Sequence, residues 1–184
     1  MERYTVAVDQ STSASKVYLI DERGEIARRA SSPHAQYYPA PGHVEHDAAE
    51  IWANVRQGIA EVTQGLMAEQ IAALGISNQR ETTVFWDRAT GEPVRRAVVW
   101  QDVRGEKLCE GLAAYYPAAK AASVLDGDPV LRARAEAGEL CIGTVDSYLV
   151  YRLTGGKTFQ TDVSNASRTE LCNLRALARD DTLC

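Results

Sequence analysis

Asp9 and Lys16 bracket a run of small and hydroxylated residues, Gln-Ser-Thr-Ser-Ala-Ser, between two apolar stretches. Such a turn presents successive backbone N–H groups and hydroxyls, which can ring phosphate oxygens without steric conflict. Thr12 and Ser13 are the donors best placed for this. Lys16 adds a positive charge beside the β- and γ-phosphates of a nucleotide, and Asp9 at the strand end can hold a magnesium ion through water. An ordinary Ser/Thr-rich turn has the same composition, and the motif alone leaves both readings open. A second constellation is Arg80-Glu81, directly after an apolar run. An adjacent cation and carboxylate at a strand end can bind neighbouring hydroxyls of a polyol, Arg donating and Glu accepting; a surface ion pair of little energetic weight is the alternative. Trp100 offers an aromatic face, either to a carbon skeleton or to the core. His43 and His46, beside Glu45 and Asp47, invite an acid–base or metal reading. They precede a predicted helix where turn and capping roles suffice, and phosphoryl transfer calls for a carboxylate and magnesium more than an imidazole.

The elements that must position these groups follow from periodicity. Tyr4 to Asp9 and Lys16 to Asp21 predict a hairpin, and Glu25 to Ala30 a third antiparallel strand after the turn Asp21-Glu-Arg-Gly24. Pro33, Pro39, Pro41 and Gly42 exclude helix until Asp47, a candidate N-cap with Glu50 three residues on. The helix predicted there runs to about residue 68, with Ile51, Trp52, Val55, Ile59, Val62, Leu66 and Met67 as its apolar stripe. Gln70 to Ser77 is continuously apolar enough to predict a strand buried on both faces, and Thr82 to Asp87 and Ala97 to Trp100 predict further strands. Helices are predicted over 103–113, over 117–125, from Asp128-Pro129 to Gly138, and from Val145 to Leu153, the last stopped by Gly155-Gly156. The order β-β-β-α-β is that of the ribonuclease-H-like core of actin-like ATPases, an α/β domain with a mixed sheet and flanking helices. Fold order alone does not give chemistry.

Composition narrows the field further. The 184 residues are 45% hydrophobic and 24% charged, as in an ordinary globular domain. With Lys plus Arg at 20 and Asp plus Glu at 25, the net charge of −5 disfavours a nucleic-acid binder with a broadly basic surface. No run approaches the roughly 18 apolar residues of a membrane span, and Met1-Glu-Arg-Tyr4 enters a strand with no secretory segment. The expectation is a cytoplasmic chain with neither membrane nor nucleic acid as partner. Cys109, Cys141, Cys172 and Cys184 lack the close spacing of zinc sites or disulfide scaffolds and read as buried or incidental thiols.

Six stretches resemble, in order, those of the FGGY carbohydrate kinases, and within them the glycerol kinases. They are Asp9-Gln-Ser-Thr-Ser-Ala-Ser-Lys16, Pro41-Gly-His-Val-Glu-His-Asp47, Gly75-Ile-Ser-Asn-Gln-Arg-Glu-Thr-Thr83, Val99-Trp-Gln-Asp-Val-Arg104, Gly143-Thr-Val-Asp-Ser-Tyr148 and Ser164-Asn-Ala-Ser-Arg-Thr169. The resemblance implies ATP-dependent phosphorylation of glycerol or a related polyol or sugar at a primary hydroxyl, with ATP and Mg2+. It implies that Thr12, Ser13 and Lys16 bind nucleotide phosphates, that Asp9 serves the metal, and that Arg80, Glu81 and Trp100 bind the polyol. Ser11 stands where the family has Gly, and Lys16 where it has Arg. Aligned backward from Lys120, Ala114-Tyr-Tyr-Pro-Ala-Ala-Lys120 falls on the family's Pro-Tyr-Phe-Ser-Gly-Thr-Lys, which puts Tyr115 on its polyol-contacting tyrosine; a stretch that the family carries before Ala114 is missing. The catalytic Asp and the adenine site are expected beyond Cys184. Residues 1–184 thus read as the N-terminal, substrate- and phosphate-binding domain, incomplete at a C-terminus that resembles the start of a helix, with the C-terminal nucleotide domain absent. A non-catalytic module of the same fold, or a decayed kinase fragment, is the alternative; an actin-like ATPase without a second substrate is disfavoured by Arg80-Glu81 and Trp100. Homo-oligomerisation through the full-length protein stays open.

Overall fold

Alternating apolar residues at the N-terminus put Val6, Val8 and Gln10 on the inner face of one strand and Ser15, Val17 and Leu19 on that of the next. In the computed structural model, which describes residues 2–108 and 114–180, these are β1 (Tyr4–Gln10) and β2 (Ala14–Ile20). There follow β3 (Ile26–Pro33), β4 (Gln36–Tyr37), β5 (Glu45–His46), α1 (Ala48–Val62), β6 (Ile71–Asn78), β7 (Thr83–Asp87) and β8 (Ala97–Val98). The rest of the chain supplies α2 (Pro117–Gly127), α3 (Pro129–Glu136), β9 (Leu140–Thr144), α4 (Val145–Leu153), α5 (Val163–Ala166), β10 (Cys172–Asn173) and β11 (Ala178–Arg179). Two compact units result, one of residues 1–35 and 49–79, the other of residues 36–48 and 80–184. Among the described residues no helix is long and apolar enough to cross a membrane.

The first unit is a four-stranded mixed sheet, order β3-β2-β1-β6, with β6 parallel to β1 and the other pairs antiparallel. α1 contributes buried Ile51, Val55 and Val62 to the core of Val6, Val8, Val17, Leu19 and Ala30. Gly58 permits the close approach of this helix, because a Cβ there would fall 2.6 Å from Val17 Cγ2. Gly58→Val is therefore expected to lower stability by about 1–3 kcal/mol through overpacking. Gln57→Ala at the exposed neighbour should stay within about 0.5 kcal/mol. Urea midpoints measure both, and equal midpoints would mean that Val17 moves aside freely.

Two predictions for this unit need correction. α1 ends at Val62 rather than near residue 68: Gly65 turns the chain at φ +79°, and Arg28 Nη1 donates to the freed carbonyls of Val62 at 3.1 Å and Gln64 at 2.6 Å. Leu66 is half-buried and Met67 exposed, both outside the helix. β6 is not buried on both faces. It lies at the sheet edge, with Ala72, Ala73 and Leu74 exposed, because a continuous apolar run records composition and not which neighbours cover it.

The second unit is built on a five-stranded antiparallel sheet, order β4-β5-β8-β7-β9. β7 pairs along its whole length with β9, from Thr83 opposite Thr144 to Asp87 opposite Leu140. On one side Phe85, Val98 and Leu140 pack with Val124 of α2 and Leu131 of α3. Trp86 packs with Tyr148, Tyr151 and Phe159, and burial pushes the Tyr148 phenol up to about 12. α3 begins as predicted, with Asp128 accepting from Leu131 N at 2.9 Å and Pro129 at its first position. α4 has the predicted span, and Gly155 and Gly156 beyond it take φ +62° and +80°.

In the described part of the helix predicted over 103–113, residues 103–108, the chain forms a 3-10 turn, Glu106–Leu108, in place of an α-helix. Asp102 draws the Arg104 N–H to its side chain, and Gly105 lies so near Ala119 that a Cβ would be 2.9 Å from it. Cys109 to Ala113, and with them the missing stretch expected before Ala114, lie outside the described residues. So do residues 181–184, of the expected helix start; before them the chain forms the β10–β11 hairpin.

Candidate functional site

In the first unit, β1 and β2 deliver the hydroxylated turn. Asp9 and Lys16 are register partners, with Lys16 Nζ 3.5 Å from Asp9 Oδ2 and both side chains about two-fifths exposed. Ser11 closes the turn through its N–H and Oγ, which donate to Ala14 O at 2.9 and 3.0 Å. Its φ is not positive, so serine in place of glycine carries no backbone strain here. Ser13 is exposed and Thr12 half-buried. His34 packs behind them, its N–H donating to Ser13 O at 3.4 Å and its Nε2 meeting Thr12 O at 2.9 Å. At the strand ends, Gln79 Nε2 donates to the buried Gln10 Oε1 at 3.0 Å, and Gln79 N to Gln10 O at 2.8 Å. These amides fix the origin of the turn, yet the sequence singles out neither, since a buried Gln has no spacing signature. No cluster of three or more His, Cys, Asp or Glu suited to a metal occurs among the described residues. A single half-exposed carboxylate beside a hydroxylated turn suits hydrated Mg2+, which keeps several waters.

In the second unit, Glu81 stands just before β7, 8% exposed and at φ +64°, a conformation that is costly for a residue with a Cβ. Its carboxylate pairs not with Arg80 but with Arg168, whose Nε lies 2.6 Å from Oε1. Arg80 is exposed. Trp100 is 40% exposed, and its N–H donates to Thr82 Oγ1 at 3.2 Å, which ties it to the segment carrying Glu81. The Arg168 guanidinium lies 5.2 Å from the centroid of Tyr115 and 5.1 Å from that of Tyr116. Lys120, fully buried, donates to Glu81 O at 3.0 Å and to Tyr115 O at 2.5 Å. The fold thus brings Glu81 and Tyr115 together around Arg168 and Lys120, two residues to which the sequence assigns no role, and ties Trp100 to the same unit through Thr82. Arg168 lies inside Ser164-Asn-Ala-Ser-Arg-Thr169, but no local spacing points to its partner.

The other motifs are braces. Asp102, 1% exposed, accepts from Val44 N at 2.7 Å and from Arg104 Nη2 at 2.7 Å, and Glu45 accepts from Arg104 and Arg95 at 2.9 and 3.0 Å. Burial pushes the Asp102 carboxyl up, but the bonds from the Arg104 side chain and backbone and from Val44 pull it below the ordinary carboxylate range. This network holds the loop after Trp100. His46 is fully buried beside it, in keeping with a structural histidine. Asp146 accepts from Thr144 Oγ1 at 2.5 Å and Thr161 Oγ1 at 2.6 Å, while Asp162 caps α5 through Asn165 N at 2.8 Å; together they place the segment that ends in Arg168. An open cavity of about 500 Å3 lies in the same unit, between Phe159, Val163, Leu171 and Leu177, and takes in none of Arg80, Glu81, Trp100 and Tyr115. Cys141 is a buried free thiol and Cys172 a half-buried one, and Cys184, like Cys109, lies outside the described residues.

The β-β-β-α-β unit, whose first hairpin carries the hydroxylated turn, has the actin-like ATPase fold, α/β with a mixed sheet and flanking helices. The chain belongs to the FGGY family of carbohydrate kinases, whose N-terminal domain it matches over residues 4–120 and 111–184. It is 46% identical to glycerol kinase 2 of Streptomyces avermitilis over 99% of its own length and 48% identical to a glycerol kinase of Paracidovorax citrulli over 98%. It covers 40% and 39% of those two proteins. The crystal structure of Plasmodium falciparum glycerol kinase with ADP superposes with a TM-score of 0.91 at 31% identity, covering all of this chain and 40% of that one. Gluconate kinase from Lactobacillus acidophilus shares the fold with a TM-score of 0.85 at 22% identity, again over the whole chain and 39% of the other. The family match divides at residues 111–120, and the alignment to the Streptomyces protein runs over 204 residues, more than this chain's 184. The alignment therefore contains gaps, and the two overlapping family matches put a break in the match at residues 111–120.

Proposed function

We propose that this chain is the N-terminal, polyol- and phosphate-binding part of an ATP-dependent kinase that phosphorylates glycerol or a related polyol or sugar at a primary hydroxyl. The observation that carries the reading is Glu81: a carboxylate held in a strained backbone conformation, with Trp100 tied to the segment beside it through Thr82. Strain at a buried charged residue is kept where the surrounding structure over-determines it, typically at a ligand clamp. Glu81 accepts a hydroxyl, Arg80 donates to one, and Trp100 and Tyr115 flank the carbon chain. Thr12 and Ser13 donate to phosphate oxygens, Lys16 offsets their charge, and Asp9 holds Mg2+ through water. ATP, when bound, supplies the transferable γ-phosphoryl group. The proton acceptor and the adenine pocket belong to the portion of the relatives that this chain does not span. A cytoplasmic location, and a small polyol or sugar as the partner instead of nucleic acid or membrane, complete the reading.

The purified 184-residue chain is expected to bind glycerol but to show no glycerol-dependent ATP consumption above a no-enzyme control, since positioning supplies most of the rate in phosphoryl transfer. A coupled assay for ADP checks this. Turnover by the chain alone would overturn the assignment of the proton acceptor to the unspanned portion.

A further inference from the structure

Lys120 ties together the backbones of two polyol residues from separate segments of the chain, donating to both Glu81 O and Tyr115 O. With both backbones fixed, the orientation of the two side chains remains to be set, and one residue touches both. Arg168 holds Oε1 of Glu81 at 2.6 Å and spreads its guanidinium over the ring of Tyr115. Among the described residues Oε2 of Glu81 has no hydrogen-bond partner, so one carboxylate oxygen is anchored and the other is open to a ligand hydroxyl. Arginine's extended guanidinium can pair with a carboxylate and lie over an aromatic ring at once, where lysine offers a single compact charge.

We propose that Arg168 is a positioning residue of the polyol site, one that orients the Glu81 carboxylate and the Tyr115 ring without touching the polyol itself. The inference rests on the polyol reading above and assigns the reason for Arg168 in the segment Ser164-Asn-Ala-Ser-Arg-Thr169. The phenol of Tyr115 offers a readout of the contact. Hydrogen bonds with Tyr116, and then with Arg168, lower it below the ordinary tyrosine value, against burial and the nearby Glu81 charge.

The experiment titrates glycerol into the isotope-labelled chain and follows the Glu81 amide, the Trp100 indole and the Tyr115 ring carbon by NMR, with 1-propanol as the ligand lacking adjacent hydroxyls. The wild-type chain should respond saturably to glycerol and not to 1-propanol. Arg168→Ala should weaken glycerol binding at least tenfold and raise the pH at which Tyr115 titrates, with the circular dichroism spectrum unchanged. Arg168→Lys should recover binding in part while leaving Tyr115 displaced. If the wild-type chain responds and Arg168→Ala binds glycerol equally well, the positioning role is wrong and the polyol reading stands. Should the wild-type chain itself show no saturable response, the polyol reading fails and this inference fails with it. Lys120→Met gives a second readout: it should also weaken glycerol binding, yet leave Tyr115 titrating lower than it does in Arg168→Ala.

Discussion

Trp86→Ala is expected to leave the second unit barely folded. Trp86 is fully buried near the end of β7, with ring centroids of Phe159, Tyr148 and Tyr151 at 5.1, 5.4 and 5.6 Å. Truncating a buried tryptophan to alanine costs about 3–5 kcal/mol, the lost transfer energy of the ring plus the cavity left behind. That is a large part of the roughly 5–15 kcal/mol available to a whole domain. The collapse would spread along a definite route. Tyr151, packed on Trp86, donates through its hydroxyl to Arg88 O and lies against Gly91 and Gly156, so the turn after β7 depends on the same cluster. Trp86→Phe should be far milder. The indole Nε1 is buried without a hydrogen-bond partner, so phenylalanine forfeits ring volume but no hydrogen bond and removes a desolvated donor. Urea unfolding followed by near-ultraviolet circular dichroism measures both variants. Equal losses for Phe and Ala would show that the shape of the indole, more than aromatic burial, holds the cluster. Because Glu81 sits two residues before β7, the alanine variant should lose the glycerol response as well, and the phenylalanine variant should keep it.

The sequence carried the first unit almost completely and the second only in outline, for a physical reason. β1, β2, β3 and α1 are long enough for period-two and period-3.6 patterns to repeat, and turn chemistry at Gly24 marks one boundary. In the second unit β4, β5, β8, β10 and β11 have two residues each, too few for any period, and β9 runs into α4 with no turn residue between them. Their strand character comes from pairing partners distant in the chain, such as Glu45 opposite Val98. The site shows the same division. Arg80-Glu81 and the hydroxylated turn stand out because adjacent residues carry the chemistry. The ion pair between Glu81 and Arg168 joins residues 87 apart and depends on the fold. Local motifs also could not say which arginine serves Glu81: the adjacent Arg80 is the local candidate, whereas in the fold Glu81 pairs with Arg168.

The variants that separate the two proposed binding functions are Glu81→Ala, Arg80→Ala and Asp9→Ala, measured in a chimera in which this chain replaces the matching part of a glycerol kinase relative. A polyol offers only hydroxyls, so its site must pair each with a charged or amide partner. Removing one leaves buried groups unpaired at about 1–3 kcal/mol each, roughly tenfold to a hundredfold in apparent affinity. Glu81→Ala should show the larger effect, because Arg168 loses its carboxylate at the same time, and the ion pair there is one-third exposed on the arginine side and one-tenth on the glutamate side. Arg80→Ala removes an exposed guanidinium that the fold does not depend on, so its loss should fall on polyol constants alone. Asp9→Ala should act elsewhere. Its pair with Lys16 is long, at 3.5 Å, and about two-fifths exposed on both sides, so little stability depends on it. On the proposed reading its carboxylate serves the metal that neutralises charge between the β- and γ-phosphates, so its loss should lower kcat with the KM for glycerol nearly unchanged. Steady-state constants for glycerol and ATP in the three variants decide the matter. If Glu81→Ala and Arg80→Ala raised the KM for ATP and left that for glycerol alone, the pair would belong to the nucleotide side, and the polyol reading of the second unit would fall.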